Sequence, residues 1–298
     1  MTPEERFQAA GHGPSAPPRG TASGLEEFLR DSRERVDGYL EKVLPPASEP
    51  PLKLHAAMRY AVFSGGKRLR PALAFAGAQA CGADPECALP VAAAVELVHA
   101  YSLVHDDLPA MDDDTLRRGR PTVHVRFDEA TAILTGDALL TEAFAVLGRE
   151  PEVRELVSAL AHAAGSRELV GGQADDLDFA LEGADAESIV GIHRRKTAAL
   201  FRFAVVGGGR AAGGDAAALE ALDRFGLEYG LAFQLADDLD DASEAAGGAC
   251  TALGVLSVEA LRERCVAGLS RARAALDPLG PGSQMLRALG ERLASQLP

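Results

Sequence analysis

The 298 residues hold 44 Asp and Glu against 30 Lys and Arg, and this net charge of −14 argues against nucleic acid as a partner. Hydrophobic residues reach 47% with 5% aromatics and no tryptophan, so a sizeable, aliphatic core is expected. Cys81, Cys87, Cys250 and Cys265 show no CxxC spacing and no histidine pairing, which argues against a metal knuckle and for thiols in a reducing, cytoplasmic compartment.

Residues 1–23 are rich in Pro, Gly, Ser and Ala and read as a flexible leader ahead of one domain, 24–298. They lack an apolar core of signal-peptide length, and no stretch gives the roughly 18 apolar residues of a membrane span. Leu25 to Leu44 has helical spacing, ended by Pro45 and Pro46; Leu52 to Phe63 follows Pro50 and Pro51. Next comes Gly65-Gly66-Lys67-Arg68-Leu69-Arg70-Pro71, in which glycines permit close backbone approach and three cations make an anion site. It lacks the spacing of a Walker A loop.

An apolar run from Val91 to Val104, interrupted by His99, delivers Asp106 and Asp107 at its end. Pro109 disfavours further helix; Asp112, Asp113 and Asp114 follow, then Arg117 and Arg118. So many carboxylates repel one another and need a cation. Oxygen ligands without cysteine suit Mg2+, which shares its shell with phosphates, and arginine forks suit the same phosphates. Residues 129–147 form another helix, on which Asp137 is assigned to capping or packing. Residues 153–170 are expected to be helical and lead into Gly171-Gly172-Gln173-Ala174-Asp175-Asp176-Leu177. His193-Arg194-Arg195-Lys196-Thr197 lies on the next helix, and Gly207 to Gly214 is expected to be a loop. A last apolar run, Phe225 to Leu235, carries Gln234 and ends in Asp237-Asp238-Leu239-Asp240-Asp241. Asp237 and Asp241, four apart, lie about 40° from each other around a helix axis. Helix follows helix, which predicts an all-α, single-domain bundle with a site in a central cavity.

These blocks together resemble the trans-isoprenyl diphosphate synthases of the polyprenyl synthetase family. Asp106-Asp107-Leu108-Pro109-Ala110-Met111-Asp112 matches the first aspartate-rich motif in its bacterial form, and 237–241 matches the second. The resemblance covers about residue 25 to the C-terminus. It implies Mg2+, three ions with diphosphate bound, held by Asp106, Asp107, Asp112, Asp237, Asp238 and Asp241, with Asp176 in support. It implies isopentenyl diphosphate on Lys67, Arg70, His99 and Arg118, and the allylic diphosphate on Arg117 and Lys196. Gln173 matches the family's Gly-Gln-x-x-Asp-Leu; Thr197 and Gln234 would lie near the reacting carbons. Catalysis would fall to Asp106, Asp107, Asp112, Lys196, Thr197, Gln234 and Asp237. A homodimer is implied as well. Tyr101, five before Asp106, and Ser102, four before, would floor the cavity, and the bulk of Tyr101 there resembles bacterial farnesyl diphosphate synthases.

The chain departs from the family after Asp241, where two clamping lysines are expected but no Lys or Arg occurs until Arg262. Slower turnover, a cation from elsewhere, or lost activity as a partner subunit all remain open, as does a geranylgeranyl product. A terpene cyclase fits less well, because the Gly-Gly-Lys-Arg-Leu-Arg-Pro block serves a second diphosphate.

Overall fold

The computed structural model describes residues 22–179, 185–243, 253 and 255–297; side-chain placement begins at 24 and leaves out 241–243. Residues 1–21, expected to be a flexible leader, and residues 244–252 and 254 of the lysine-poor segment after the second aspartate cluster lie outside the described residues. Thirteen α-helices are described: α1 (Ala22–Val43), α2 (Leu52–Val62), α3 (Leu69–Ala80), α4 (Leu89–Asp106), α5 (Val123–Arg126), α6 (Glu129–Arg149), α7 (Leu156–Ala164), α8 (Leu169–Leu177), α9 (Ala186–His193), α10 (Ala199–Ala211), α11 (Ala216–Ser243), α12 (Val258–Ala275) and α13 (Gln284–Ser295). A π-helical turn, Arg194–Ala198, joins α9 to α10. The expected all-α bundle is what forms. The one β element among the described residues is a hairpin of β1 (Leu116–Arg117) and β2 (Arg120–Pro121), paired Leu116 with Pro121 and Arg117 with Arg120.

α4 is the central helix, and its sequence explains why. It is apolar on every side, so no face is suited to water, and Val91 through Val98 are all buried. Its alanines let α3, α6 and α10 approach closely. α11 packs on α10 and α12, which sets the two aspartate clusters on helices of one bundle. Side-chain caps hold several helix starts. Asp128 accepts from the Thr131 amide (2.7 Å) at α6, and Asp185 from Ser188 (2.8 Å) at α9.

Three expectations need correction. The loop expected over Gly207–Gly214 begins only at Ala212: α10 runs through the first glycines to Ala211. Those glycines are contact surface. A Cβ on Gly208 would sit 1.9 Å from the Ala74 carbonyl oxygen, so only glycine lets α10 lie this close to α3. The helix expected over 153–170 is two helices broken at Gly165, and the Gly-Gly-Gln-x-x-Asp block is itself helical, in α8. Finally, two helices are long and apolar enough to cross a membrane, Pro85–Asp106 and Glu129–Arg149. A search for unbroken apolar runs overlooks them because Glu96 and Asp137 interrupt the sequence. The first is mostly buried in the bundle and pairs with the second, as core helices do.

Candidate active site

The first aspartate cluster is shaped by the end of α4. Asp106 is its last residue, and Pro109 turns the chain back so that the Asp112 amide donates to the Asp106 carbonyl (2.8 Å). Asp112 thus returns to the helix end. Burial pushes the Asp106 carboxyl up to about 7; Lys196 opposes this, while Asp112 and then Asp107 add to it. A carboxylate at a helix C-terminus also meets the negative end of the macrodipole. Asp112 is raised for the same reasons, burial first, and feels Lys196, Asp114 and Asp176.

Asp107 behaves differently. Only 3% exposed, it accepts from Arg117 Nε (2.8 Å) and Nη2 (2.5 Å), and Arg117 also holds Asp114 (2.8 Å). Asp107, grouped by sequence with the metal ligands, and Arg117, grouped with the diphosphate contacts, are therefore paired with each other. Asp106 and Asp107, being adjacent in sequence, lie on different sides of the helix end, which motif spacing does not reveal.

Opposite stands the π-helical turn. Its extra residue per turn displaces Lys196 and Thr197 from the regular helical register. Lys196 Nζ donates to Asp176 Oδ2 (2.5 Å). Gly172 of α8 permits this, since a Cβ there would lie 2.3 Å from the Lys196 amide nitrogen. Asp176, one turn on, then reaches the ammonium. Thr197 Oγ1 donates to Gln234 Oε1 (2.7 Å), and Gln234 Nε2 donates to Asp238 Oδ1 (3.2 Å). Asp238 is 2% exposed and has His193 Nε2 at 3.7 Å on its other oxygen, whereas Asp237 is exposed. So the second cluster also splits into an inward and an outward aspartate; the Asp241 side chain lies outside the described residues. Gln173 Nε2 is buried without a hydrogen-bond partner.

The basic turn sorts in the same way. Arg68 is structural: buried in a left-handed backbone conformation (φ 49°), it donates to Glu96 (2.7 Å), Asp37 (2.8 Å) and the Val62 carbonyl (2.7 Å). The expected trio of anion-binding cations is corrected to a pair. Arg68 fixes the turn, Lys67 is exposed, and Arg70 enters on the first turn of α3. The Arg70 guanidinium lies 4.5 Å over the Phe201 ring, and its Nε is buried without a partner. Burial lowers its pKa to about 10; Glu96 opposes this and Arg118 adds to it. His99 is driven well below the usual histidine range, first by burial, then by Arg70, Arg118, Arg68 and Arg117. Arg118, at φ 54° in the hairpin turn, donates to the Gly65 carbonyl. Mutually repelling, desolvated cations with an orphaned donor form a preorganised polyanion site.

Tyr101 is 5% exposed in the wall of α4, its ring edge-on to His105 (5.8 Å). Burial pushes its hydroxyl up to about 12. Ser102 donates to the His99 carbonyl (3.0 Å). Sequence reasoning passed over Glu96, Phe201 and His193. A lone acid in an apolar helix was a signal for the first; the other two gave none.

Among the described residues no three His, Cys, Asp or Glu side chains stand close enough to form a metal cage. The donor set nevertheless fits Mg2+: Asp106 and Asp112 offer only oxygens, and burial leaves Asp106 short of positive charge. A hard ion that takes one or two carboxylates and fills its shell from a substrate needs no all-protein cage.

Helices enclosing a cationic pocket and facing aspartates define the class as isoprenyl synthase-like. The Polyprenyl synthetase profile matches residues 51–248, and the chain belongs to that family. Farnesyl diphosphate synthase of Geobacillus stearothermophilus is 43% identical over 224 residues, 73% of this chain and 75% of that protein. The Escherichia coli farnesyl diphosphate synthase is 45% identical over 225 residues, covering 73% and 74%. Among solved structures, an FPP/GFPP synthase from Zymomonas mobilis superposes with a TM-score of 0.84 at 39% identity, covering 92% of this chain and 100% of that one.

Proposed function

We propose that the chain is a prenyltransferase that condenses isopentenyl diphosphate with dimethylallyl or geranyl diphosphate, head to tail, and stops at farnesyl diphosphate. One observation carries this: a desolvated cationic site at Arg70 and His99 lies beside a second site built from Asp106, Asp112, Lys196 and Asp176. Two diphosphate sites suit a two-substrate condensation better than a cyclase. Farnesyl diphosphate synthases among the relatives support the fifteen-carbon product over the geranylgeranyl alternative.

In this reading Lys67, Arg70, His99 and Arg118 orient the isopentenyl diphosphate, which is a proximity effect. His99, kept neutral, adds a hydrogen bond without further repulsion. Asp106, Asp112 and Asp237 would hold Mg2+, which supplies neutralisation of the allylic leaving group. Lys196, positioned by Asp176, would turn its ammonium to the same diphosphate. The allylic C–O bond breaks with its electron pair leaving on the diphosphate. The isopentenyl double bond forms the new C–C bond, and a proton is then lost to the released diphosphate. Thr197 and Gln234 offer oxygens to the transient cation, and the apolar wall of α4 excludes water. We read the enzyme as a cytoplasmic homodimer. The partly exposed apolar α6 supports the dimer, and free Cys81 and Cys87 accord with a reducing compartment.

Incubation of the purified chain with Mg2+, isopentenyl diphosphate and geranyl diphosphate, followed by chain-length analysis, tests this. A fifteen-carbon product is expected. A twenty-carbon product keeps the chemistry and removes the chain-length assignment. No condensation by folded protein removes the enzyme reading in favour of the partner-subunit one, with the lysine-poor segment after Asp241 as the cause.

A further inference from the structure

Four buried or half-buried polar side chains form one line across the junction of the π-helical turn with α11. His193 Nε2 stands 3.7 Å from Asp238 Oδ2; Asp238 Oδ1 accepts from Gln234 Nε2 at 3.2 Å; Gln234 Oε1 accepts from Thr197 Oγ1 at 2.7 Å. His193 is 3% exposed and Asp238 2%. The line has a direction. A carboxylate only accepts, so it requires the NH2 end of the Gln234 amide. The amide oxygen must then face Thr197, and the threonine proton is committed to it. What Thr197 can still offer the cavity is lone-pair density, the sign that a developing carbocation needs. The reverse amide orientation would bring two oxygens together at Asp238 and turn the threonine proton free.

We propose that His193 and Asp238 are positioning residues for prenyl transfer, fixing the polarity of the Gln234–Thr197 pair, and that Asp238 is not a metal ligand. This rests on the prenyltransferase reading of the site. His193 sets its Nε2 within ion-pairing distance, 3.7 Å, of the far oxygen of the buried carboxylate. The two neighbouring aspartates divide the labour: Asp237 is exposed, and Asp238 is buried in the protein.

The test uses Asp238→Asn, His193→Gln and the double variant, with Asp237→Asn for contrast. Asn fits the same space but accepts either orientation of the Gln234 amide. Asp238→Asn and His193→Gln are each expected to lower kcat roughly ten- to hundred-fold, the usual effect of a group that orients another. KM for both diphosphates and the Mg2+ concentration for half-maximal rate should stay within about twofold. The double variant should be no slower than the slower single variant, because both act on one device. Calorimetry with inorganic pyrophosphate and Mg2+ gives a readout independent of turnover: Asp238→Asn should bind as the wild type does, and Asp237→Asn more weakly. A tenfold weaker binding or a tenfold higher Mg2+ requirement in Asp238→Asn would overturn the proposal, and so would multiplicative losses in the double variant. If Asp238→Asn does not fold, His193→Gln carries the same measurements. A folded wild type that binds Mg2+ and pyrophosphate but condenses no substrate overturns the prenyltransferase reading, and this proposal with it.

Discussion

At the scale of single residues, environment separates side chains that the sequence presents as equals. Asp106 and Asp107 are neighbours, yet one is held by Arg117 and the other is pushed up to about 7 by burial. The Asp106 carboxyl lies near 3.8 when solvated, so folding favours its protonated form. That contribution to stability is complete below about pH 4 and is lost as pH rises through 7. Metal-free Asp106→Asn should therefore melt higher than wild type at pH 8, by an amount on the order of 2 kcal/mol or a few degrees. The difference should vanish near pH 4, and calorimetric melts at both pH values check it. Tyr101 makes the second prediction at this scale. Tyr101→Ala opens the wall of α4 by an aromatic ring and should lengthen the product beyond fifteen carbons, at about 3 kcal/mol or more in stability. Chromatography of the hydrolysed products decides it; an unchanged product length would remove Tyr101 as the floor.

At the scale of elements, close approach of helix backbones sets the site. α10 lies against α3 through Gly208 and Gly77, which brings Phe201 under Arg70. Gly208→Ala would place a methyl 1.9 Å from the Ala74 oxygen and should cost roughly 3 kcal/mol, seen as a lower thermal midpoint. Gly148→Ala in α6, where a Cβ meets nothing within 4 Å, is the control and should be neutral or slightly stabilising. Equal melting of the two variants would refute the packing argument. Helices were legible in the sequence wherever apolar spacing was regular, as in α1 and α2. The glycine-rich end of α10 was not, because glycine lowers helix propensity whether or not a neighbour rewards its small size. The π-helical turn left no trace either. Its register comes from contacts with α8 and α11, which are remote in sequence.

For the whole molecule, α6 poses a question of assembly. It is apolar enough to be a core helix, yet Ile133 and Leu134 are 46% and 55% exposed. In the proposed homodimer a second copy would cover this face. Sedimentation should give twice the 31.1 kDa chain mass for wild type and one chain mass for Ile133→Asp/Leu134→Asp. A monomeric wild type would remove the homodimer.

The sequence by itself determined the all-α architecture, the family, and the residue types gathered at the site. Those depend on local periodicity and on short motifs whose spacing survives in one dimension. Only the tertiary structure decided which members of each motif face the cavity. It set Arg68 on Glu96, Asp107 on Arg117 and Asp238 on His193 and Gln234, and left Arg70 and Asp106 only partly compensated. The reason is physical. A charge's role depends on its desolvation and on partners tens of residues away, and neither quantity is carried by the residue's own letter or its neighbours.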